Sequence, residues 1–271
     1  MPELPEVETT RRGLEPHLKN RRIEKVIIRD RRLRWPIPRE LEKQVTGSII
    51  HSVGRRGKYI LIECDDGWMI MHLGMSGRLR VLQRATPPSK HDHFDLVLSS
   101  GAVVRYTDPR RFGALLWTRE DPARHQLLRN LAPEPLDSRF DAQWLHARTR
   151  GRGTPIKLAI MNNEIVTGVG NIYANEALFR AGIHPKTRAG RLSLQRCEKL
   201  VRAIRETLLD AIGAGGSSLR DFFATDGSPG YFQQSYMVYA RQGEPCRVCG
   251  TPIRGGRLGQ RSTFYCARCQ H

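Results

Sequence analysis

KYILIECDDGWMIMHL, residues 58–73, holds two short apolar runs rich in Ile, Leu and Met on either side of a turn signal. Runs of this length bounded by polar turn residues read as β-strands. The same unit recurs outward in both directions. IEKVIIR (23–29) and SIIHSVG (48–54) precede it, and RLRVLQ (78–83), HFDLVLS (93–99), AVVRYTD (102–108) and ALLWT (114–118) follow. So many short strands predict an all-β sandwich or barrel-like unit from residue 23 to about 118. Residues 119–153 have the prolines, glycines and charge of a connector with a little helix. After them the period changes, and 155–163, 171–182 and 193–216 predict helices, the last stopping at Gly215 and Gly216. SSLRDFFATDGSPGYF (217–232) lacks regular pattern and is expected to be a loop or lid.

At 271 residues, 39% of them hydrophobic, the chain can form two or three compact units with real cores. Its charge is unusual: 45 Lys+Arg against 27 Asp+Glu gives +18, with a pI near 10.4. Such a balance is the footprint of a protein that sits on a polyanion, with nucleic acid the leading partner and acidic proteins a weaker alternative. No apolar run approaches the roughly 18 residues of a membrane span, and the N-terminus has no charged leader followed by an apolar segment. A cytoplasmic protein without membrane association is expected.

Four of the six cysteines form one pattern. Cys246 and Cys249, then Cys266 and Cys269, make two close pairs with the spacing of a four-thiolate zinc site. Each pair fits a tight knuckle, and the stretch between, ending in STFYC, reads as a hairpin that brings the knuckles together. A disulfide framework would require a secreted chain, for which there is no signal. With no open ligand position the zinc is expected to be structural. Residues 241–271 carry six arginines against the single acid Glu244, a finger with a basic surface. Cys64 and Cys197 read as plain thiols.

The opening MPELPEVE admits two readings. Pro5 and the early glutamates suit the start of a helix, where acids complement the positive end of the dipole. Equally, Pro2 is small enough for Met1 to be trimmed, which leaves a free secondary amine at the terminus. Other stretches carry more chemistry than packing requires. HLGMSGRL (72–79) puts Met75 in a turn between glycines, and YTDPRRFG (106–113) presents Arg110 and Phe112 on another. Apolar wedges on basic surfaces are what proteins insert when they unstack DNA. GVGNIYA (168–174) opens a helix with Gly168, Gly170 and Asn171, and backbone amides there can bind phosphate. In KHDH (90–93) the side chains alternate faces of an extended strand, so a metal cluster is not expected, and a phosphate contact from His91 is the better functional reading.

MPELPEVE, GKY around Lys58, HLGMSG, KHDH, YTDPRRFG, GVGNIYANE and the closing EPCRVCGTPI with QRSTFYCARCQ resemble, in order and from Met1 to Gln270, the bacterial formamidopyrimidine-DNA glycosylase family of 8-oxoguanine DNA glycosylase/AP lyases. Leu4, Met75, Arg110 and Phe112 set it apart from the related endonuclease VIII type. The resemblance implies an α+β chain: an N-terminal β-sandwich, a helix-two-turns-helix unit and a C-terminal zinc-finger β-hairpin, with damaged double-stranded DNA bound between the halves by a monomer. The expected division is 1–130 for the sandwich with its terminal helix and 131–153 for a connector. The helical unit would then take 154–236, with a lesion-capping loop at 217–231, and the finger 237–271. By the same resemblance Pro2 is the nucleophile that forms a Schiff base at the sugar C1′. Glu3 is the proton donor for base removal and ring opening, assisted by Glu6. Lys58 serves β-elimination and Arg261 δ-elimination. His91, Arg110, Arg152 and Asn171 contact DNA, and Met75, Arg110 and Phe112 fill the gap left by the flipped nucleotide.

Two other classes fit parts of the sequence. A non-enzymatic DNA-binding protein with a zinc finger explains the charge and the cysteines but not a reactive terminus. A metal-dependent nuclease needs convergent acids or histidines, which only KHDH hints at. Borohydride trapping on damaged DNA without added metal separates a glycosylase/lyase from both.

Overall fold

The structure is a computed structural model that describes residues 1–217, 225–228 and 230–271. The chain forms two compact units. Unit 1 comprises Met1–Arg129 and Ala214–Tyr231, and unit 2 comprises Asn130–Gly213 and Phe232–His271.

In unit 1, helix α1 (Leu4–Leu18) leads into β1 (Ile23–Ile28), the short helix α2 (Leu41–Val45), and the strands β2 (Ile50–Arg56), β3 (Tyr59–Cys64), β4 (Gly67–His72), β5 (Arg78–Leu82), β6 (Asp92–Leu98), β7 (Val103–Thr107) and β8 (Ala114–Thr118). They make two four-stranded antiparallel sheets, ordered β1-β6-β7-β5 and β2-β3-β4-β8. Alternation buries one face of β3, and its Ile60 and Ile62 join Met69, Phe94, Val104 and Leu115 in a core to which both sheets contribute. Helix α1 covers this core with Val7, Leu14 and Leu18. Its polar side is tied to β2, where Arg55 Nε donates to Glu8 Oε2 at 3.1 Å.

The inner strands β6 and β7 are buried on both faces. Asp95 and Arg105 face each other across them, each only 2% exposed. Arg105 donates twice to Asp95, at 2.8 Å each, and to the carbonyls of Thr86 and Pro87 at 2.8 and 3.1 Å. A buried charge persists only when paired and hydrogen-bonded, and here the pair pins the 84–91 loop over the sheet.

Unit 2 contains α3 (Ala142–Thr149), α4 (Ile156–Ile160), α5 (Asn171–Arg180), α6 (Leu194–Gly213) and the hairpin β9 (Arg254–Leu258) and β10 (Arg261–Tyr265). Asp141 caps α3 by accepting the Trp144 N–H at 2.7 Å. Two turns separate α4 from α5, which starts behind Gly170 as its N-cap. The amphipathic α6 buries Cys197, Leu200, Ile204, Leu208 and Ala211. Cys64 and Cys197 are both buried, and burial pushes their thiols up to about 12 and about 11, consistent with inert core residues. Most of the expected capping loop at 217–231 lies outside the described residues. Among the described residues, no helix is long and apolar enough to cross a membrane.

Candidate functional site

The N-terminus is a helix start of a particular kind. Glu3 is the N-cap of α1 and forms a capping box with Glu6, whose Oε2 accepts the Glu3 N–H at 2.8 Å. The second Glu6 oxygen accepts the Ser217 N–H at 2.8 Å. Gly216, at φ +81°, packs so closely that a Cβ there would lie 3.1 Å from Glu6 Oε1, which only glycine avoids without strain. Glu3 and Glu6 are 3% and 2% exposed. Pro2 is buried beside them, whereas Met1 is exposed. Two carboxylates are thus withdrawn from water next to the residue that trimming of Met1 would make the terminus.

Lys58 sits in the tight turn between β2 and β3, where Gly57 takes φ +56°. The following residue, Tyr59, pairs with His72 across β3 and β4, their ring centroids 4.8 Å apart. Burial, reinforced by the positive charges of Lys58 and Arg34, pulls His72 down to about 4. Its Nδ1 accepts the Gly74 N–H at 2.9 Å, which links the Lys58 turn to the turn that carries Met75. Nothing local in HLGMSG marks this histidine for a role.

Met75 is half-buried. Arg110 and Phe112 are exposed on the neighbouring turn, with the Arg110 guanidinium carbon 5.2 Å from the centre of the Phe112 ring. Gly74 lets the two turns touch, since a Cβ on it would come within 2.4 Å of the Phe112 carbonyl carbon. His91 is half-buried just ahead of β6. Its neighbours turn inward: Asp92 accepts from the Ser89 N–H at 2.7 Å and from the Thr107 hydroxyl. The His93 ring meets the Asp108 carbonyl at 2.9 Å. KHDH therefore does not converge on a metal.

In unit 2, Arg152 is exposed, its Nε donating to the Arg148 carbonyl at 2.7 Å. Asn171 opens α5 with its Oδ1 buried and without a protein partner, an unsatisfied acceptor at a helix N-terminus. Arg261 is exposed at the first position of β10, opposite Leu258. The hairpin that carries it is tied to the helices by buried polar groups with no local signature in the sequence. Lys157, 0% exposed, donates to the Ser262 carbonyl at 2.6 Å and the Thr263 hydroxyl at 2.8 Å. Asn175 Oδ1 accepts the Phe264 N–H at 2.8 Å. The Glu176 carboxylate accepts three consecutive backbone N–H groups, from Met237, Val238 and Tyr239, at 2.8 to 3.0 Å. Burial nevertheless raises its pKa.

The sulfurs of Cys246, Cys249, Cys266 and Cys269 all lie within 4.8 Å of one another, with Cys246–Cys269 at 3.9 Å and Cys249–Cys266 at 3.5 Å. A tetrahedral zinc with Zn–S bonds of about 2.3 Å spaces its sulfurs by about 3.8 Å, so the cluster fits that ion closely. All four positions are thiols, which makes the zinc structural.

Three family models match the chain. The formamidopyrimidine-DNA glycosylase N-terminal domain covers residues 1–115, the formamidopyrimidine-DNA glycosylase H2TH domain 131–223, and the zinc finger found in FPG and IleRS 243–271. The chain is 57% identical to the formamidopyrimidine-DNA glycosylase of Cupriavidus pinatubonensis, with all of both chains covered. Among solved structures, Lactococcus lactis Fpg in complex with an abasic-site-containing DNA aligns at TM-score 0.92 and 34% identity, covering 99% of each chain. The same protein with a Fapy-dG-containing DNA aligns at TM-score 0.91 and 33% identity, covering 99% of this chain and all of that one.

Proposed function

The chain belongs to the formamidopyrimidine-DNA glycosylase family, and from that membership we propose that it excises oxidised purines, 8-oxoguanine and formamidopyrimidines, from duplex DNA and then cleaves the abasic strand by β,δ-elimination. It is a DNA glycosylase of base excision repair, and damaged DNA is its partner. In the proposed reaction the Pro2 nitrogen, freed by loss of Met1, bonds to C1′ as the glycosidic bond breaks, and the departing base takes a proton. Opening of the sugar ring protonates O4′, leaving a Schiff base between Pro2 and C1′. Loss of a C2′ proton then expels the 3′ phosphate, and a second elimination expels the 5′ phosphate.

The amine suits this task. A terminal amine with a pKa of about 8 is roughly a quarter neutral at pH 7.5, against on the order of 0.1% for an ordinary lysine. The observation that carries the reading is the burial of Glu3 and Glu6 beside Pro2. A carboxylate held beside an amine can supply and recover the protons the steps require. Glu3 would protonate the leaving base and O4′, with Glu6 fixing the backbone that aims it. Lys58 would serve β-elimination. Arg261, a poor acid because guanidinium does not readily deprotonate, would hold phosphate during δ-elimination. His91, Arg110, Arg152 and Asn171 would contact DNA, and Met75, Arg110 and Phe112 would fill the void. Flipping costs a few kcal/mol, least at a weakened pair, and filling the void offsets part of that.

The test compares excision, abasic-site cleavage and borohydride trapping across variants. Glu3→Gln should abolish base excision while abasic-site cleavage and trapping survive in part, because that substrate has already lost its base. Pro2→Gly should lower both activities. A chain extended ahead of Pro2, its nitrogen acylated, should lose both and fail to trap. Trapping by the extended chain would move the nucleophile elsewhere, with Lys58 the first candidate.

A further inference from the structure

We propose that Asp108 is a positioning residue that locks the Met75 turn and the Arg110–Phe112 turn into one rigid wedge, and so sets how well the protein tells a lesion from intact DNA. The proposal rests on the void-filling reading above. Both turns are places where the chain passes between the two sheets of unit 1, from β4 to β5 and from β7 to β8. Strand pairing between the two chain segments stops at His72–Ala114 on one side and resumes at Arg78–Thr107 on the other. Between these pairs the two turns lie side by side with no ladder joining them.

Asp108, 0% exposed, fills that gap with its carboxylate. Oδ1 accepts the Ser76 hydroxyl at 2.7 Å and the Arg110 N–H at 3.2 Å. Oδ2 accepts the Gly113 N–H at 2.9 Å and the Tyr106 hydroxyl at 3.2 Å. Ser76 Oγ also accepts the Arg110 N–H, at 3.3 Å, so one donor is shared between residues of the two turns. The Asp108 backbone N–H donates to the His91 carbonyl at 3.0 Å, which draws that residue into the same arrangement. A buried carboxylate with four donors has its acceptor capacity fully used. Steric fit acts in the same direction: a Cβ on Gly113 would fall 1.7 Å from the Tyr106 hydroxyl oxygen. Side chains that enter a base stack bind best when their geometry is fixed beforehand, because a loose wedge loses entropy on insertion.

The test uses the full chain with Asp108→Asn, Ser76→Ala and Met75→Ala, and two readouts. One is amide hydrogen exchange over 73–77 and 109–113. The other is the ratio of affinities for a duplex bearing 8-oxoguanine and the same duplex intact. Asp108→Asn keeps the size but, whichever way the amide turns, sets its NH2 against one backbone N–H, that of Arg110 or that of Gly113. It should speed exchange in both turns and lower the ratio about tenfold. Ser76→Ala removes one donor and should move both readouts the same way by less, which keeps the proposal testable if Asp108→Asn does not fold. Asp108→Asn combined with Met75→Ala should fall no further than the worse single variant, since both act through one wedge. Unchanged exchange in either turn overturns the clamp. Faster exchange with an unchanged ratio, in a protein whose ratio Met75→Ala does lower, overturns the role in discrimination. If Met75→Ala leaves the ratio unchanged while Asp108→Asn speeds exchange in both turns, the void-filling reading fails and the role in discrimination falls with it, the clamp alone standing.

Discussion

His72 carries a pH dependence that follows from where β4 places it. The unfolded chain takes up a proton on this ring near pH 6.5, whereas the folded ring, buried near Lys58 and Arg34, holds off until about 4. Between those values the unfolded state binds more protons, so stability falls as the pH drops through the window. The full shift corresponds to about 3 kcal/mol. Urea unfolding at pH 7 and 4.5 should show a smaller acid loss in His72→Gln than in the wild type, and equal losses would mean the folded ring protonates as freely as the unfolded one. At physiological pH the neutral ring, with Nδ1 occupied by Gly74, carries its proton on Nε2. Met75, in the same HLGMSG stretch, stands out in the sequence because an apolar residue between glycines is conspicuous locally. Asp108, Lys157 and Glu176 are conspicuous only in their burial, and half-buried His72 only in its neighbours, and remote chain decides both. The Lys157 partners lie 105 and 106 residues away.

Elements were more legible than partners. Each apolar run quoted from the β-rich region became one of the strands β1 to β8, because a short run between turn signals needs no distant information. The order β1-β6-β7-β5 was not legible, since strand neighbours that are far apart in sequence leave no local trace. Nor was the five-residue α2, too short to show a helical period. The cysteine spacing announced the finger, and its energetics follow. Apart from its thiols, the finger places only Val238 and Ile253 fully inside its apolar cluster, with Met237 and Phe264 partly buried against them, so zinc should supply much of its folding energy. Cys249→Ser should release the metal, speed exchange across β9 and β10, and lower DNA affinity and strand cleavage together by at least about tenfold. Normal affinity for lesion duplex in a metal-free variant would remove the finger from the grip.

At the scale of the molecule the charge of +18 was readable from composition alone, and it predicts strongly salt-dependent binding. Neutralising Arg152, a proposed phosphate contact, should weaken binding to lesion and intact DNA alike and lower the slope of log K against log salt by about one. A slope that does not move would leave Arg152 as a solvated side chain. The assignment of 214–231 to unit 1 was not readable, because these residues follow α6 directly and show no period of their own. That assignment bears on how the enzyme is made. The Ser217 N–H that satisfies the second oxygen of Glu6 comes 211 residues after it, and Thr225 supplies the carbonyl that accepts the Val81 N–H at 3.1 Å. At roughly 5 to 20 residues per second, a ribosome delivers Ser217 about 10 to 40 seconds after Glu6. During that interval the nascent chain carries its first helix without the contacts that complete the setting of Glu6, so the proposed reagent at Pro2 is assembled only when nearly the whole chain has been synthesised.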